Sequence, residues 1–181
     1  MNESANGSGY SLWIMPGPDD KKRYEDIISS LSFKYSTPNF EPHVTLLGGL
    51  AGQEEILIRN ASEVAMKMFV FKIRFTMINY LNEYFRSLFV LVEKTKDIED
   101  AWNMASIEFG LNPSEYMPHM SLFYGTIAEE IKRDEIKKLE AEHSVGEGFF
   151  PRKLALYSTE GNVEMWHEVG SFDLDPSMQK Q

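Results

Sequence analysis

The stretch PHVTLLGG, residues 42–49, recurs later in the chain as PHMSLFYG, residues 118–125. Both follow one pattern: proline, histidine, an apolar residue, a hydroxyl residue, leucine, an apolar residue, any residue and glycine. The two histidines, His43 and His119, stand 76 residues apart. One histidine with a hydroxyl residue two places later is common by chance, but a second copy that also repeats the proline, leucine and glycine predicts a functional site.

The apolar residues of each stretch predict a β-strand, on which residues two positions apart project from the same face. His43 and Thr45 therefore share one face of the first strand, and His119 and Ser121 share one face of the second. Each proline fits the first position of a strand, where sheet pairing requires no N–H group. If the strands are related by a pseudo-twofold axis, the two histidine–hydroxyl pairs meet across a groove.

Two histidines that face each other suit in-line attack on a phosphoester. A neutral imidazole removes a proton from water while a protonated one donates to the leaving oxygen, and histidine titrates close enough to neutrality for both roles. Thr45 and Ser121 are predicted to donate hydrogen bonds to the non-bridging oxygens. We predict no metal ion and no cofactor, because only two histidines converge and no carboxylate stands at ligand spacing from them.

Composition limits the class of protein and the size of its partner. The 181 residues, 43% of them apolar, are enough for one domain with a substantial core, and the absence of cysteine excludes disulfides and thiolate chemistry. A net charge of −10 argues against a long nucleic acid as partner, so if the substrate is a nucleotide, we expect a small one or an RNA end. No secretory signal or membrane-spanning stretch is visible, so we predict a cytoplasmic protein, with the nucleus as a second address, and no membrane partner.

Hydrophobic periodicity predicts two successive β-α-β-α-β series followed by one more strand. Adding 76 to the element boundaries of the first series gives approximately those of the second. We therefore predict an α+β fold with two pseudo-symmetric lobes, facing antiparallel sheets and outer helices. The predicted boundaries are a flexible N-terminus at 1–9, a single bilobal domain at 10–175 with lobes of about 10–80 and 84–175, and a flexible C-terminus at 176–181.

On these motifs the chain resembles the two-histidine (2H) phosphoesterase superfamily, whose members carry two H-x-[S/T]-φ motifs on a duplicated bilobal fold. The matching residues here are 43–46 (HVTL) and 119–122 (HMSL). Within the superfamily, residues 10–13 (YSLW) and 116–124 (YMPHMSLFY) are most similar to the cyclic phosphodiesterase family of plants and fungi. The resemblance extends from about residue 10 to residue 174.

The resemblance implies metal-independent hydrolysis of cyclic phosphates. Family substrates are ADP-ribose 1″,2″-cyclic phosphate, a by-product of tRNA splicing, and nucleoside 2′,3′-cyclic phosphates, which are opened to 2′-phosphates. It implies catalytic roles for His43, Thr45, His119 and Ser121, with His119 as general base and His43 as general acid. The plant enzymes carry cysteines that can form disulfides, and this chain has none.

Trp13, Phe85 and Tyr124 match aromatic positions that are associated with substrate in this family. An aromatic face can stack on a base with little sequence preference. For Phe85, a place in the core is an equally good interpretation. Trp13 is the better candidate, because it shares a face with Ser11 and lies opposite the apolar side of its strand.

Tyr124 presents a difficulty of orientation. Strict alternation along the strand sets Phe123 on the face of His119 and Ser121, and Tyr124 on the opposite face. Tyr124 reaches the groove only if the strand bends before Gly125 or if the tyrosine acts from the rim.

The other two histidines, His143 and His167, have no partner motif and are predicted to be structural or surface residues.

The alternatives to cyclic phosphate hydrolysis are an RNA-end or 2′-5′ oligoadenylate phosphodiesterase of the same superfamily, and a catalytically silent nucleotide-binding module. We predict a monomer whose partner is a small nucleotide cyclic phosphate, with RNA ends or short oligonucleotides as further candidates. Four strand cations are predicted to lie on solvated faces: Lys72, Arg74, Arg152 and Lys153.

Overall fold

The computed structural model describes residues 5–112, 114–175 and 177, which form eight strands and four α-helices. In chain order these are β1 (Tyr10–Pro16), α1 (Pro18–Tyr35), β2 (Val44–Leu50), α2 (Glu54–Lys67), β3 (Ile73–Asn79), β4 (Leu88–Val92), α3 (Lys96–Glu108), β5 (His119–Phe123), α4 (Glu129–Ala141), β6 (Gly148–Phe149), β7 (Pro151–Ser158) and β8 (His167–Asp173). Short 3-10 helices span Tyr84–Arg86 and Val163–Met165. The predicted α+β class and the duplicated order of elements are confirmed.

All strands pair antiparallel in one curled sheet with the order β6-β3-β4-β5-β2-β1-β7-β8. The predicted facing sheets are the two four-stranded halves of this sheet. The halves meet where β2 pairs with β5, through Val44 opposite Met120. Both motif strands are therefore at the centre of the molecule, side by side.

The two halves of the sheet exchange strands. The third strand of the first series, β3, pairs with β4, whereas its counterpart in the second series, β7, pairs with β1. The segments 10–80 and 84–175 were predicted to form one lobe each, but neither half of the sheet is built from one segment alone. This exchange is possible because the connection after each motif strand is long. The connection from β2 to β3 includes α2, the connection from β5 to β7 includes α4, and each can reach across the sheet.

The helices cover the face of the sheet opposite the motif histidines. α1 has a proline in its first turn followed by two aspartates, which suit the unsatisfied N–H groups and the dipole at a helix N-terminus. It packs on β5, while α3 packs on β2, so each of these helices covers the central strand of the other half. The apolar partners of the histidines on the motif strands are fully buried beneath them: Val44, Leu46, Met120 and Leu122.

Each motif strand carries a β-bulge at the same place. Residues 46–47 lie opposite Leu12, and residues 122–123 lie opposite Leu88, so that one extra residue is accommodated in each motif strand. Both residues of each bulge enter the core. The bulge shifts the alternation by one position, which explains why Phe123 packs in the core rather than on the histidine face, where it was predicted.

The N-terminal residues before β1 follow the end of β7. The Gly7 N–H donates to the Gly161 carbonyl at 2.8 Å, and the Thr159 N–H donates to the Gly9 carbonyl at 2.9 Å. Of the termini predicted to be flexible, residues 1–4, 176 and 178–181 lie outside the described residues. Among the helices that are described, none combines the length and the apolar character needed to cross a membrane.

The two glycines that end the motifs, Gly49 and Gly125, differ in the space available for an added methyl group. A Cβ at Gly125, where φ is +143°, would lie 2.9 Å from the Phe123 ring and from the Thr37 methyl group, whereas a Cβ at Gly49 (φ +65°) meets nothing within 4 Å. We expect Gly125→Ala to lower the free energy of unfolding by about 2–4 kcal/mol and Gly49→Ala by about 1 kcal/mol. Urea denaturation of both variants measures the difference, and equal losses would contradict the described packing.

Candidate active site

The four polar motif side chains lie on one face at the junction of the two half-sheets. Because Val44 is opposite Met120, continuing the antiparallel register by one residue places His43 opposite Ser121 and Thr45 opposite His119. The histidines are thus diagonal neighbours across the junction. All four residues line one cavity of about 430 Å³.

His43 is held by an aromatic ring and a backbone carbonyl. Its imidazole stacks on Trp13 with ring centroids 3.6 Å apart and an angle of 7° between the planes. Its Nδ1 lies 2.6 Å from the carbonyl oxygen of Glu41, the residue before the motif proline. Only 5% of His43 is exposed.

His119 has the same arrangement in the other half. Its Nδ1 lies 2.8 Å from the Met117 carbonyl, and its ring makes an edge contact with Phe89, with centroids 5.2 Å apart. Phe89 stands 76 residues after Trp13, and it pairs with Ser121 as Trp13 pairs with Thr45. The repeated register therefore supplies each histidine with an aromatic residue from the neighbouring strand.

The carbonyl contacts assign the tautomer of both neutral histidines. A carbonyl can only accept, so Nδ1 carries the proton, and Nε2 keeps a lone pair available to the cavity. The same Nδ1 contact to the carbonyl two residues earlier occurs in His143 and His167, which are exposed. What distinguishes the motif histidines is therefore their burial and their convergence in one cavity.

Burial favours the neutral form of both motif histidines in the free protein. It lowers the pKa of His43 from 6.5 to about 3, against the opposing effect of the Glu41 carbonyl. Burial also lowers the pKa of the partly exposed His119, with the Arg86 guanidinium as a further cause. Both rings are neutral at pH 7, so a proton donor arises here only when an anion enters and favours the imidazolium.

The hydroxyl groups differ in their present partners. Ser121 Oγ donates to the Phe85 carbonyl at 3.0 Å, which ties the segment before β4 to β5. Thr45 is partly exposed to the cavity, and its backbone carbonyl accepts a hydrogen bond from the Tyr116 hydroxyl. The Ser121 hydroxyl must turn away from the Phe85 carbonyl before it can donate to a ligand. The Thr45 hydroxyl makes no hydrogen bond to the Phe85 carbonyl that it would have to give up.

All three aromatic residues predicted to bind substrate line the cavity: Trp13, Phe85 and Tyr124. Tyr124 reaches it because β5 ends at Phe123 and the bulge has shifted the alternation. Its ring stacks on Phe40 and meets Phe85 edge-on, with centroids 3.7 and 5.3 Å away. Burial raises the pKa of Tyr124, so its hydroxyl stays protonated.

Trp13 is not free to stack on a base. One of its faces covers His43, and the ring also stacks with Tyr157 at a centroid distance of 3.9 Å. Its contribution to the site is to position His43. The partly exposed rings in the cavity wall are Phe85 and Trp166, which lie 5.4 Å apart.

A buried lysine supports the segment that carries Phe85. Lys132 on α4 is 2% exposed, and its Nζ donates to the Leu81 carbonyl at 2.7 Å and to Asn82 Oδ1 at 3.3 Å. The Gly125 N–H in turn donates to the Tyr84 carbonyl at 3.0 Å. Residues 81–86 are therefore fixed to both α4 and the end of the motif strand.

Three residues of the site were missed by the sequence analysis. Phe89 was detectable, because it stands at the 76-residue offset from Trp13. Trp166 and Arg86 also line the cavity but carry no motif. The strand cations Lys72, Arg74 and Lys153 form ion pairs with glutamates outside the cavity.

A comparison with known families decides the relationship. Residues 8–174 match the family described as "Cyclic phosphodiesterase-like protein". The chain belongs to this family. Over 176 residues it is 25% identical to the cyclic phosphodiesterase of Arabidopsis thaliana, covering 92% of this chain and 96% of the plant protein. Membership of this family identifies the chain as a phosphodiesterase, as predicted.

Solved structures show the same fold at lower sequence identity. Escherichia coli LigT without ligand has a TM-score of 0.53 at 10% identity, covering 94% of this chain and 99% of LigT. A structure described as a phosphoesterase has a TM-score of 0.51 at 11% identity, covering 91% of this chain and 97% of that chain. These neighbours confirm the two-histidine phosphoesterase fold of this cyclic phosphodiesterase family member.

The lowered histidine pKa values predict a pH-dependent stability. In the unfolded chain His43 binds a proton near pH 6.5, whereas in the folded chain it stays neutral to about pH 3. The unfolded state therefore binds more protons between these values, and the free energy of unfolding falls as pH decreases through this window, by up to about 1.4 kcal/mol per pH unit for one histidine. Urea denaturation from pH 7 to pH 4 should show a shallower dependence for His43→Gln than for the wild type. His167→Gln, at an exposed position, serves as the control, and parallel curves for all three proteins would contradict the burial of a neutral His43.

Proposed function

We propose that this protein hydrolyses cyclic phosphates to ring-opened phosphomonoesters by acid–base catalysis between His43 and His119, without a metal ion. The substrates proposed are ADP-ribose 1″,2″-cyclic phosphate and nucleoside 2′,3′-cyclic phosphates. The observation that carries the proposal is the convergence of the buried His43, the partly exposed His119 and two hydroxyl groups on one 430 Å³ cavity. Its volume suits a small nucleotide.

For a nucleoside 2′,3′-cyclic phosphate, the reaction is one in-line displacement at phosphorus. A water oxygen forms a bond to phosphorus while one histidine Nε2 takes its proton. The bond from phosphorus to the 3′-oxygen breaks, and the other histidine donates a proton to that oxygen. The 2′-phosphate remains. Thr45, and Ser121 after rotation from the Phe85 carbonyl, donate to the non-bridging oxygens.

The roles of the two histidines follow the family resemblance, with His119 as base and His43 as acid. A neutral His119 is ready to accept a proton from water. His43 must bind a proton against its lowered pKa, and the negative charge of the bound phosphate provides the compensating attraction. The acid is thus formed in the complex and not in the free protein.

Known neighbours support a small nucleotide as the ligand. LigT has been crystallised with phosphate, with ATP and with 3′-AMP, at TM-scores of 0.52, 0.51 and 0.50 to this chain. The net charge of −10 disfavours long RNA. We propose that the protein acts as a monomer in RNA metabolism, on the cyclic phosphate products of tRNA splicing, in the cytoplasm or nucleus.

The direct test is a product assay with EDTA present. The purified protein should convert a nucleoside 2′,3′-cyclic phosphate to the 2′-phosphate, and ADP-ribose 1″,2″-cyclic phosphate to its ring-opened form. We expect His43→Ala and His119→Ala each to reduce kcat by about 10²–10⁴-fold, because each removes one proton transfer. His143→Ala should retain wild-type activity. The proposal would be refuted if the protein hydrolysed neither of the two substrates. It would also be refuted if His43→Ala or His119→Ala kept full activity.

The assignment of acid and base has its own test. A 4-nitrophenyl phosphodiester needs little protonation of its leaving group, so a variant that lacks the acid should be impaired much less with it than with the cyclic phosphate. We expect this recovery in His43→Ala and not in His119→Ala. Recovery in His119→Ala alone would reverse the two roles. Equal losses with both substrates would show that neither histidine acts as the acid.

A further inference from the structure

Arg86 is the one permanent cation among the described residues that line the cavity. The same lining includes no aspartate, glutamate or lysine, although the whole chain carries a net charge of −10. A positive charge in the wall of a cavity that has no other permanently charged lining residue attracts anions locally, against the field of the rest of the molecule. The mechanism described above makes no use of it.

The backbone at Arg86 is fixed in place. It ends the 3-10 helix Tyr84–Arg86, its N–H donates to the Glu83 carbonyl at 3.2 Å, and its carbonyl accepts from the Leu81 N–H at 2.9 Å. Lys132 holds Leu81 from the other side. A charge on such a segment is positioned before a ligand arrives, so little conformational entropy opposes binding.

The guanidinium already binds an oxyanion. Its Nε donates to Glu83 Oε2 at 2.9 Å, and a terminal nitrogen donates to the same oxygen. Both side chains are half-exposed, so this ion pair contributes little stability and can be exchanged for another anion. The planar fork of arginine suits phosphate oxygens particularly well.

Arg86 lies at the edge of the cluster formed by the motif side chains. The neighbouring Phe85 carbonyl accepts from Ser121 Oγ at 3.0 Å, whereas the Arg86 guanidinium binds Glu83, which does not line the cavity. The charge of Arg86 nevertheless acts on His119, whose pKa it lowers more than Glu83 raises it. Arg86 is therefore next to the cluster of motif side chains, at its Phe85 end.

We propose that Arg86 binds a second phosphate group of the substrate, distinct from the cyclic phosphate held between the histidines, and thereby selects substrates that carry both. The inference rests on the proposed function and specifies its substrate class: cyclic phosphates that bear a 5′-phosphate or a diphosphate. The plain nucleoside 2′,3′-cyclic phosphate is then a poorer substrate.

The test compares adenosine 2′,3′-cyclic phosphate with the same compound carrying a 5′-phosphate. We expect the wild type to prefer the 5′-phosphorylated compound by about five- to tenfold in kcat/KM, the effect of one partly exposed charge-assisted contact. Arg86→Gln should bring the ratio of the two kcat/KM values close to one, because its effect on His119 is common to both substrates and cancels in the ratio. Arg86→Lys should keep part of the preference, and Glu83→Gln should increase it. Arg74→Gln makes the same change of charge at an exposed position outside the cavity and should leave the ratio unchanged.

A binding measurement keeps this inference separable from the proposed function. Calorimetry with adenosine 2′-phosphate and adenosine 2′,5′-bisphosphate requires no turnover. A preference for the bisphosphate that disappears in Arg86→Gln supports the second phosphate site even if neither cyclic compound is hydrolysed. An unchanged ratio in Arg86→Gln overturns the inference, and so does an equal loss with both compounds, which would show that Arg86 acts on the common phosphate or on the fold.

Discussion

The pairing of Val44 with Met120 is the contact on which the arrangement of the site depends. It joins the two halves of the sheet, and its side chains are sealed in the core beneath the junction. The neighbours of these two residues must then project to the opposite face, in register and from both halves at once. A slip of one strand by one residue in this register would turn its histidine and hydroxyl side chains towards the helices, away from those of the other motif strand. The geometry of the cavity is thus set by two apolar residues that never contact it.

The sequence was informative wherever a rule acts over a few residues. Alternation predicted that His43 shares a face with Thr45, and the prolines predicted the starts of the motif strands to within two residues, since β2 begins at Val44 and β5 at His119. Strand order could not be derived in this way, because β7 pairs with β1 and β6 pairs with β3, partners that are distant in sequence, and no local pattern encodes the choice. The bulges were also missed, and with them the orientation of Phe123 and Tyr124, since one extra residue in a strand leaves no mark on its composition.

The duplication is more exact in the backbone than in the side chains. The bulges, the carbonyl contacts of the histidines and the aromatic residues behind them all recur at the 76-residue offset. Tyr124, however, corresponds to Gly48, so this ring of the second half has no counterpart in the first. Arg86 corresponds to Tyr10, so its charge is also present in one half only. The backbone frame is thus nearly symmetric, whereas the side chains around the cavity are not.

The exchange of β3 and β7 bears on what a single copy of the module would be. Alone, it would leave one edge of its first strand unpaired and would hold one histidine with nothing facing it. Two identical copies that traded their third strands would cover both exposed edges, and each would complete the other's groove. The present chain has the strand arrangement of such a swapped homodimer joined by a peptide connection, and its two motif histidines face one cavity from different copies of the module. Because the two copies are not held to strict identity, the two imidazoles have different neighbours, Trp13 beside His43 and Phe89 beside His119.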